Sequence, residues 1–235
     1  MTTYRVEVAI FAIAFAVFGL VALALVWSGD WAYAFLANLN GVKQMTFTFP
    51  PRSVLDPGPV QLSVDLSTVI RSWHHPWAAY VTGVSAEPAL PTQGVFTADE
   101  DAHMADVRAV FRGAESAAAL GLFVLVFRVE RARRRGDALR LVRAGSLIAA
   151  GIVAVIGVAA AFAFDPLFLL FHEVFFPKGN FLFAPDSNLI RLYPEWYWQG
   201  ITAAVGASFI AVSLLAAWAA HMALRRPSTT YTRAA

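Results

Sequence analysis

The chain has 235 residues, 58% of them apolar and 14% charged, against about 25% charged in ordinary soluble domains. A formal charge of +2 is too small to argue for a nucleic-acid partner, and the apolar bias is that of a chain made for lipid. The sequence has no cysteine, which excludes a disulfide framework, a thiolate nucleophile and a cysteine-based metal centre.

A bilayer core takes about 20 mostly apolar residues in helix. Val8 to Trp27 supplies the first such run, so residues 1–27 are predicted as transmembrane helix 1. The run exceeds the apolar region of a signal peptide, about 7–15 residues, and reads as a retained anchor. Residues 28–97 follow as a cap. Within it Met45, Phe47 and Phe49 alternate with polar residues, and so do Val60, Leu62, Val64 and Leu66. Period two marks half-buried strands, and Pro50-Pro51 and Asp56-Pro57-Gly58-Pro59 are turn punctuation. His74 and His75, flanked by Trp73 and Trp77, read as packing rather than metal ligands. Adjacent side chains point apart, and no acid is spaced beside them.

Thr97 followed three residues later by Glu100 is a capping box, with further acids in the first turn. A helix over 98–128 therefore begins above the membrane and enters it as the second span. Its apolar stretch Ala117 to Phe127 reaches spanning length only through Val107, Val110 and Phe111; Arg112 and Glu115 are expected to pair on its face. Residues 129–143 are predicted as a basic cytoplasmic loop, and 144–164, where the apolar run begins at Ala144, as the third span. Asp165-Pro166 should break the helix, and 165–197 should return along the interface as an amphipathic helix and an aromatic-rich loop. Residues 198–224, with the apolar core Ile201 to Ala220, form the fourth span; 225–235 form a cytoplasmic tail, disordered from Pro227 on.

Short-loop arginines set the orientation. Arg5, the arginines from Arg128 to Arg143, and Arg225 and Arg226 fall on one side, which is therefore cytoplasmic. Trp27, Trp31, Tyr33, Tyr193, Trp196, Tyr197 and Trp198 gather at the other boundary as an aromatic belt. The predicted fold is an α-helical integral membrane protein of the cell membrane. It has four transmembrane helices, both termini inside, and a small extracellular cap containing short β-strands and an interfacial helix.

Two stretches of the outer face carry chemistry. Glu100, His103 and Asp106 are spaced by three and share a helix face. With hydrocarbon beginning near Arg108, His103 stands roughly 7–8 Å above it. His172, on the interfacial segment, falls at similar headgroup depth. An unperturbed pKa near 6.5 suits histidine to proton transfer at neutral pH. By spacing alone, each reads first as a hydrogen-bonded helix residue, Glu100 as a capping residue, and Arg191 and Lys178 as headgroup contacts. The sequence holds no Gly-rich phosphate loop, HExxH or GxSxG element.

Both stretches resemble the bacterial lipoprotein intramolecular transacylase family. Glu100, His103, Met104, Asp106, Val107 and Arg108 are similar to its first motif. Phe171, His172, Phe175, Phe176 and Asn180 are similar to its second. Leu189 to Glu195 resembles the family's approach to its last span. The resemblance covers about residues 97–200; Phe181 stands where tryptophan would be expected, and residues 28–96 offer little to align. It implies that an ester-linked acyl chain moves from the glyceryl group of a lipoprotein to the amine of its N-terminal cysteine, giving the lyso form. His103 and His172 would be the catalytic pair. His103 would be the base, with Glu100 and Asp106 raising its basicity, and Asn180 and Arg191 would be oxyanion or headgroup donors. Arg108 and Phe175 enter as supporting residues of the two motifs. No metal, cofactor or acyl-enzyme is required. The expected partners are a diacylglyceryl-modified lipoprotein and membrane lipids, not nucleic acid. A non-catalytic lipid- or lipoprotein-binding subunit and a lipid esterase are the other readings. A transporter is less favoured, because spans one, three and four hold almost no charge.

Overall fold

From Thr2 to Trp27 the chain carries no proline and only Arg5 and Glu7 as charges, and it forms one unbroken helix, α1 (Thr2–Trp27). The computed structural model describes residues 2–51, 58–85 and 94–225. The expected turn at Asp56-Pro57, Arg226 and the expected tail from Pro227 lie outside the described residues. The remaining elements are α2 (Asp30–Leu39), β1 (Gln44–Phe49), β2 (Val60–Asp65), α3 (Leu66–Val69), a π-turn at Ile70–His74, α4 (His75–Val81), α5 (Ala98–Arg134), α6 (Ala138–Phe162), α7 (Phe164–Phe175), α8 (Asn188–Leu192) and α9 (Glu195–Leu224). Among the described residues, α1, α5, α6 and α9 are long and apolar enough to cross a membrane. The 37 residues of α5 make a rod of about 55 Å, well over the roughly 30 Å of a hydrocarbon core.

The chain divides into two units. The first takes the residues up to Leu20, Ala117–Ile156 and those from Gly206. Its core is Val8, Phe11 and Ala14 of α1 against Leu125, Ala132 and Leu141. Small residues permit the close approach. A side-chain carbon at Gly145 would overlap the Phe11 ring, one at Gly19 would come within 2.7 Å of Phe209, and one at Gly121 within 3.0 Å of the Ala14 carbonyl. Buried Glu7 is held by Arg135, at 2.5 Å and 2.9 Å. The predicted loop 129–143 is mostly helix. Only Arg135–Asp137 interrupt α5 and α6, because Glu130 pairs along its own helix with Arg133 and Arg134. Arginine itself is a good helix former.

The second unit, Val21–Ser116 with Gly157–Val205, contains the cap and every candidate site residue. Its core gathers Tyr33, Leu36, Met45, Phe47, Trp73, Trp77, Phe96, Met104, Leu189, Leu192, Tyr193 and Tyr197. β1 and β2 pair antiparallel, with Met45 opposite Val64, Phe47 opposite Leu62 and Phe49 opposite Val60. β1 follows the predicted alternation, with Met45 and Phe47 buried. β2 does not. Leu62 is 47% exposed where Phe47, across the ladder, is 0%. Trp73 packs on Phe47 at 4.3 Å, the rings tilted, and of the β2 alternation Val64 alone is partly buried against the same core. Leu66, predicted in the strand, begins α3. Asn188 acts as a further rung on β1. Its Oδ1 accepts from Thr48 N at 2.9 Å, and its Nδ2 donates to the carbonyls of Thr48 and Val95. The helix break falls at Ala163 (φ −138°), two residues before Asp165-Pro166, so Pro166 lies in the first turn of α7. There the missing N–H costs nothing. The expected Arg112–Glu115 pair forms at 2.8 Å.

Candidate active site

The start of α5 is built as its sequence dictates. Thr97 N donates to Glu100 Oε2 at 2.7 Å, and Glu100 N donates to Thr97 Oγ1 at 3.2 Å. The remaining oxygen of Glu100 accepts from Leu189 N at 2.9 Å. Glu100 is 1% exposed, so both its oxygens are spent on backbone groups. It ties α5 to the first turn of α8.

One turn on, the His103 ring lies 6.2 Å from that of His172, the two planes within 19° of parallel. Phenylalanines enclose the pair. Phe176 stands 4.8 Å from His103 and 5.3 Å from His172. Phe183 meets His103 at 5.5 Å, and Phe168 and Phe181 meet His172 at 4.2 Å and 5.2 Å. Of these, Phe168 and Phe183 were missed by sequence reasoning; the i, i+4 spacing of Phe168 and His172 was the available signal. Phe181, the departure from the expected tryptophan, is one of the rings on His172.

His172 Nδ1 lies 2.8 Å from the Phe168 carbonyl. A carbonyl only accepts, so Nδ1 carries the proton, and neutral His172 presents a lone pair at Nε2. Burial lowers the His172 pKa from its ordinary value, with the Phe168 bond opposing; the ring is neutral at pH 7. Buried His103 Nδ1 meets no hydrogen-bond partner among the described residues, and neither does Asn180 Oδ1.

Asp106, a further turn along α5, accepts from Lys178 Nζ at 2.9 Å and from Asn180 Nδ2 at 2.8 Å. These bonds pull the loop after α7 onto α5. A cavity of about 290 Å³ opens there, between Asp106, Ala109 and Val110 on one side and the segment Phe175–Lys178 on the other. Asp106, Asn180 and Phe176 thus join the histidines. Phe175 lines the cavity and packs on Phe171 at 4.7 Å, the rings tilted.

Arg108 and Arg191 are occupied elsewhere. The Arg108 guanidinium donates to the carbonyls of Tyr80 and Ser85 at 2.9 Å and 2.8 Å and lies 4.4 Å over the Tyr80 ring. It closes the end of α4. Arg191 donates to Thr48 Oγ1 at 2.7 Å on β1. The second histidine cluster is structural, with one addition to the sequence reading. Asp30, remote in sequence, pairs with His75 at 2.8 Å and stands 3.9 Å from His74. The His74 ring lies tilted 4.3 Å from that of Tyr33, and burial pushes its pKa down to about 4 against the nearby Asp30 carboxylate.

The model of one family matches residues 8–198: "Lipoprotein intramolecular transacylase Lit". The chain belongs to this family. As a transacylase it is an acyltransferase of lipoproteins and a multi-pass membrane protein. The fold agrees with that of the membrane-integral lipoprotein intramolecular transacylase Lit from Bacillus cereus. The TM-score is 0.68 at 15% identity, covering 95% of this chain and 96% of that one. Two variants of the Bacillus cereus protein, each replacing one histidine, match at TM-score 0.65 and 16% identity over 95% of this chain and 92% or 94% of theirs. A search of the curated proteins finds no significant match.

Proposed function

We propose that this transacylase moves the acyl chain on the middle glycerol carbon of a diacylglyceryl lipoprotein to the α-amine of its N-terminal cysteine. The product is the lyso form, and the reaction runs at the outer leaflet. The observation that carries this reading is the near-parallel His103–His172 pair, 6.2 Å between centroids, inside a phenylalanine enclosure. Joining amine nitrogen to ester carbonyl carbon closes a ring of about eight members, which confinement favours entropically. The enclosure and its neighbouring cavity supply that confinement.

His172 is the better proton acceptor of the two. The sequence argument gave that role to His103, but the Nδ1–Phe168 bond leaves His172 Nε2 as a lone pair of fixed direction. His172 takes one proton from the ammonium. The freed amine attacks the ester carbonyl carbon, and the carbonyl electrons move to oxygen. His103 donates a hydrogen bond to that oxyanion. The glycerol C–O bond then breaks, and the leaving oxygen takes the proton back from His172. The last surplus N–H proton of the new amide leaves to solvent. Asp106 and Asn180 hold the loop beside the pair, and membrane lipid surrounds the four spans.

The arginine bias supports an orientation with both termini cytoplasmic and the cap and site outside. The α5–α6 turn carries Arg131, Arg133, Arg134 and Arg135 within a few residues.

The test is mass spectrometry of a tagged reporter lipoprotein co-expressed with the protein in cells lacking other N-acylation. Wild type is expected to give an N-acyl cysteine with a monoacyl glyceryl group at unchanged total mass. His172→Asn and His103→Ala are each expected to leave the reporter diacylglyceryl. An unmodified reporter beside folded wild-type protein would favour a binding subunit instead, and free fatty acid would mark an esterase.

A further inference from the structure

We propose that the Asp106 carboxylate is the docking point for the α-ammonium of the substrate's N-terminal cysteine, and that Lys178 occupies this place until substrate arrives. The proposal rests on the acyl-shift reading and names the group that takes hold of the nucleophile.

Asp106 stands three residues from His103 on the same helix and lines the cavity with Phe175 and Phe176. Its carboxylate is 27% exposed, reachable yet sheltered. The cation on it, Lys178, is 72% exposed and reaches Asp106 only with the tip of a long side chain. An exposed ion pair of this kind contributes little to stability, so its exchange for another cation is easy. A lysine ammonium and an α-ammonium carry the same three N–H donors, and a carboxylate placed for one receives the other. The second oxygen of Asp106 stays anchored by Asn180 Nδ2. Asn180 Oδ1, buried and without a partner among the described residues, offers a further acceptor beside it.

Charge then gives the step its direction. While protonated, the amine is held on Asp106 next to the histidine pair. Once it passes a proton to His172 it is neutral, loosens from the carboxylate and is free to attack. The amide product is uncharged, so Lys178 returns to Asp106 and the product has nothing to hold it there. Asp106 thereby distinguishes substrate from product.

Two synthetic probes test this on the full-length protein in nanodiscs, in a His172→Asn background that binds without turnover. One is a diacylglyceryl-cysteine lipopeptide with a free α-amine, the other its N-acetyl counterpart. The background protein is expected to prefer the free amine. Adding Asp106→Asn should weaken the free-amine probe about tenfold, the loss of one charge-assisted bond, and leave the N-acetyl probe unchanged. Adding Lys178→Gln should tighten the free-amine probe several-fold, again with no change for the N-acetyl one. Equal loss of both probes in Asp106→Asn, or weaker free-amine binding in Lys178→Gln, would overturn the assignment and leave the pair as a tether for the loop. Turnover of the free-amine lipopeptide by wild type is followed in parallel. Amine preference without turnover upholds the docking site and removes the acyl-shift reading; turnover without amine preference does the reverse.

Discussion

His172 is a histidine whose two nitrogens have been given different work. Nδ1 is committed to the Phe168 carbonyl one turn back, which leaves Nε2 with the lone pair for the role proposed above. Burial disfavours its charged form, so its folded pKa lies below the ordinary value of about 6.5. The sign follows directly. Above that value His172 is neutral and competent; as pH falls through the lowered pKa it takes up a proton and can no longer accept one. Single-turnover transfer measured against pH is expected to hold level from neutrality down past about 6.5 and to fall only below it. A limb centred well above neutrality would remove His172 from the role of base. Asp106 shows how the same residue scale defeats sequence reading. Its helix face was legible from the spacing to His103, but its partners Lys178 and Asn180 lie 72 and 74 residues away. Nothing local announces them.

At the scale of elements, the capping box made the start of α5 legible, because a Thr–Glu pair three apart serves only backbone groups next to it. The reach of Glu100 to Leu189, 89 residues on, was not legible. It turns a local cap into a joint between α5 and α8. Glu100→Ala frees both donors and is expected to cost about 2 kcal/mol of stability. Glutamine keeps one acceptor oxygen in place of two, so Glu100→Gln should cost less. Thermal unfolding in nanodiscs reads both. Transfer per folded molecule should be unchanged in Glu100→Gln, since Glu100 does not touch the reacting groups; a lost rate at full folding would make it part of the chemistry. The ends of α5 and α6 were misread for a related reason. Arginines at 131, 133, 134 and 135 look like a loop by charge, whereas helix propensity and the pairs of Arg133 and Arg134 with Glu130 keep the chain helical as far as Arg134. In β2, alternation was legible but its meaning was not. Val60 and Leu62 repeat with period two and are both exposed, while Val64, next in the alternation, packs against the core.

For the whole molecule, the four long apolar helices were legible from run length alone, and the two units share them along the chain. Orientation rests on charge, and the lack of native cysteine makes it directly testable. Leu182→Cys, at a position 77% exposed, is expected to react with a membrane-impermeant maleimide in intact cells. Arg134→Cys, 78% exposed, should react only after lysis, and the opposite pattern would invert the topology. The helix break at Ala163 has a consequence of another kind. His103 precedes the second span and His172 follows the third, so the pair meets only when both spans of the α5–α6 hairpin have crossed. A copy that inserts one of the two leaves its imidazoles on opposite faces of the bilayer. On the role proposed for the pair, such a copy would be inert, and errors of biogenesis would yield silence rather than a stray lipase.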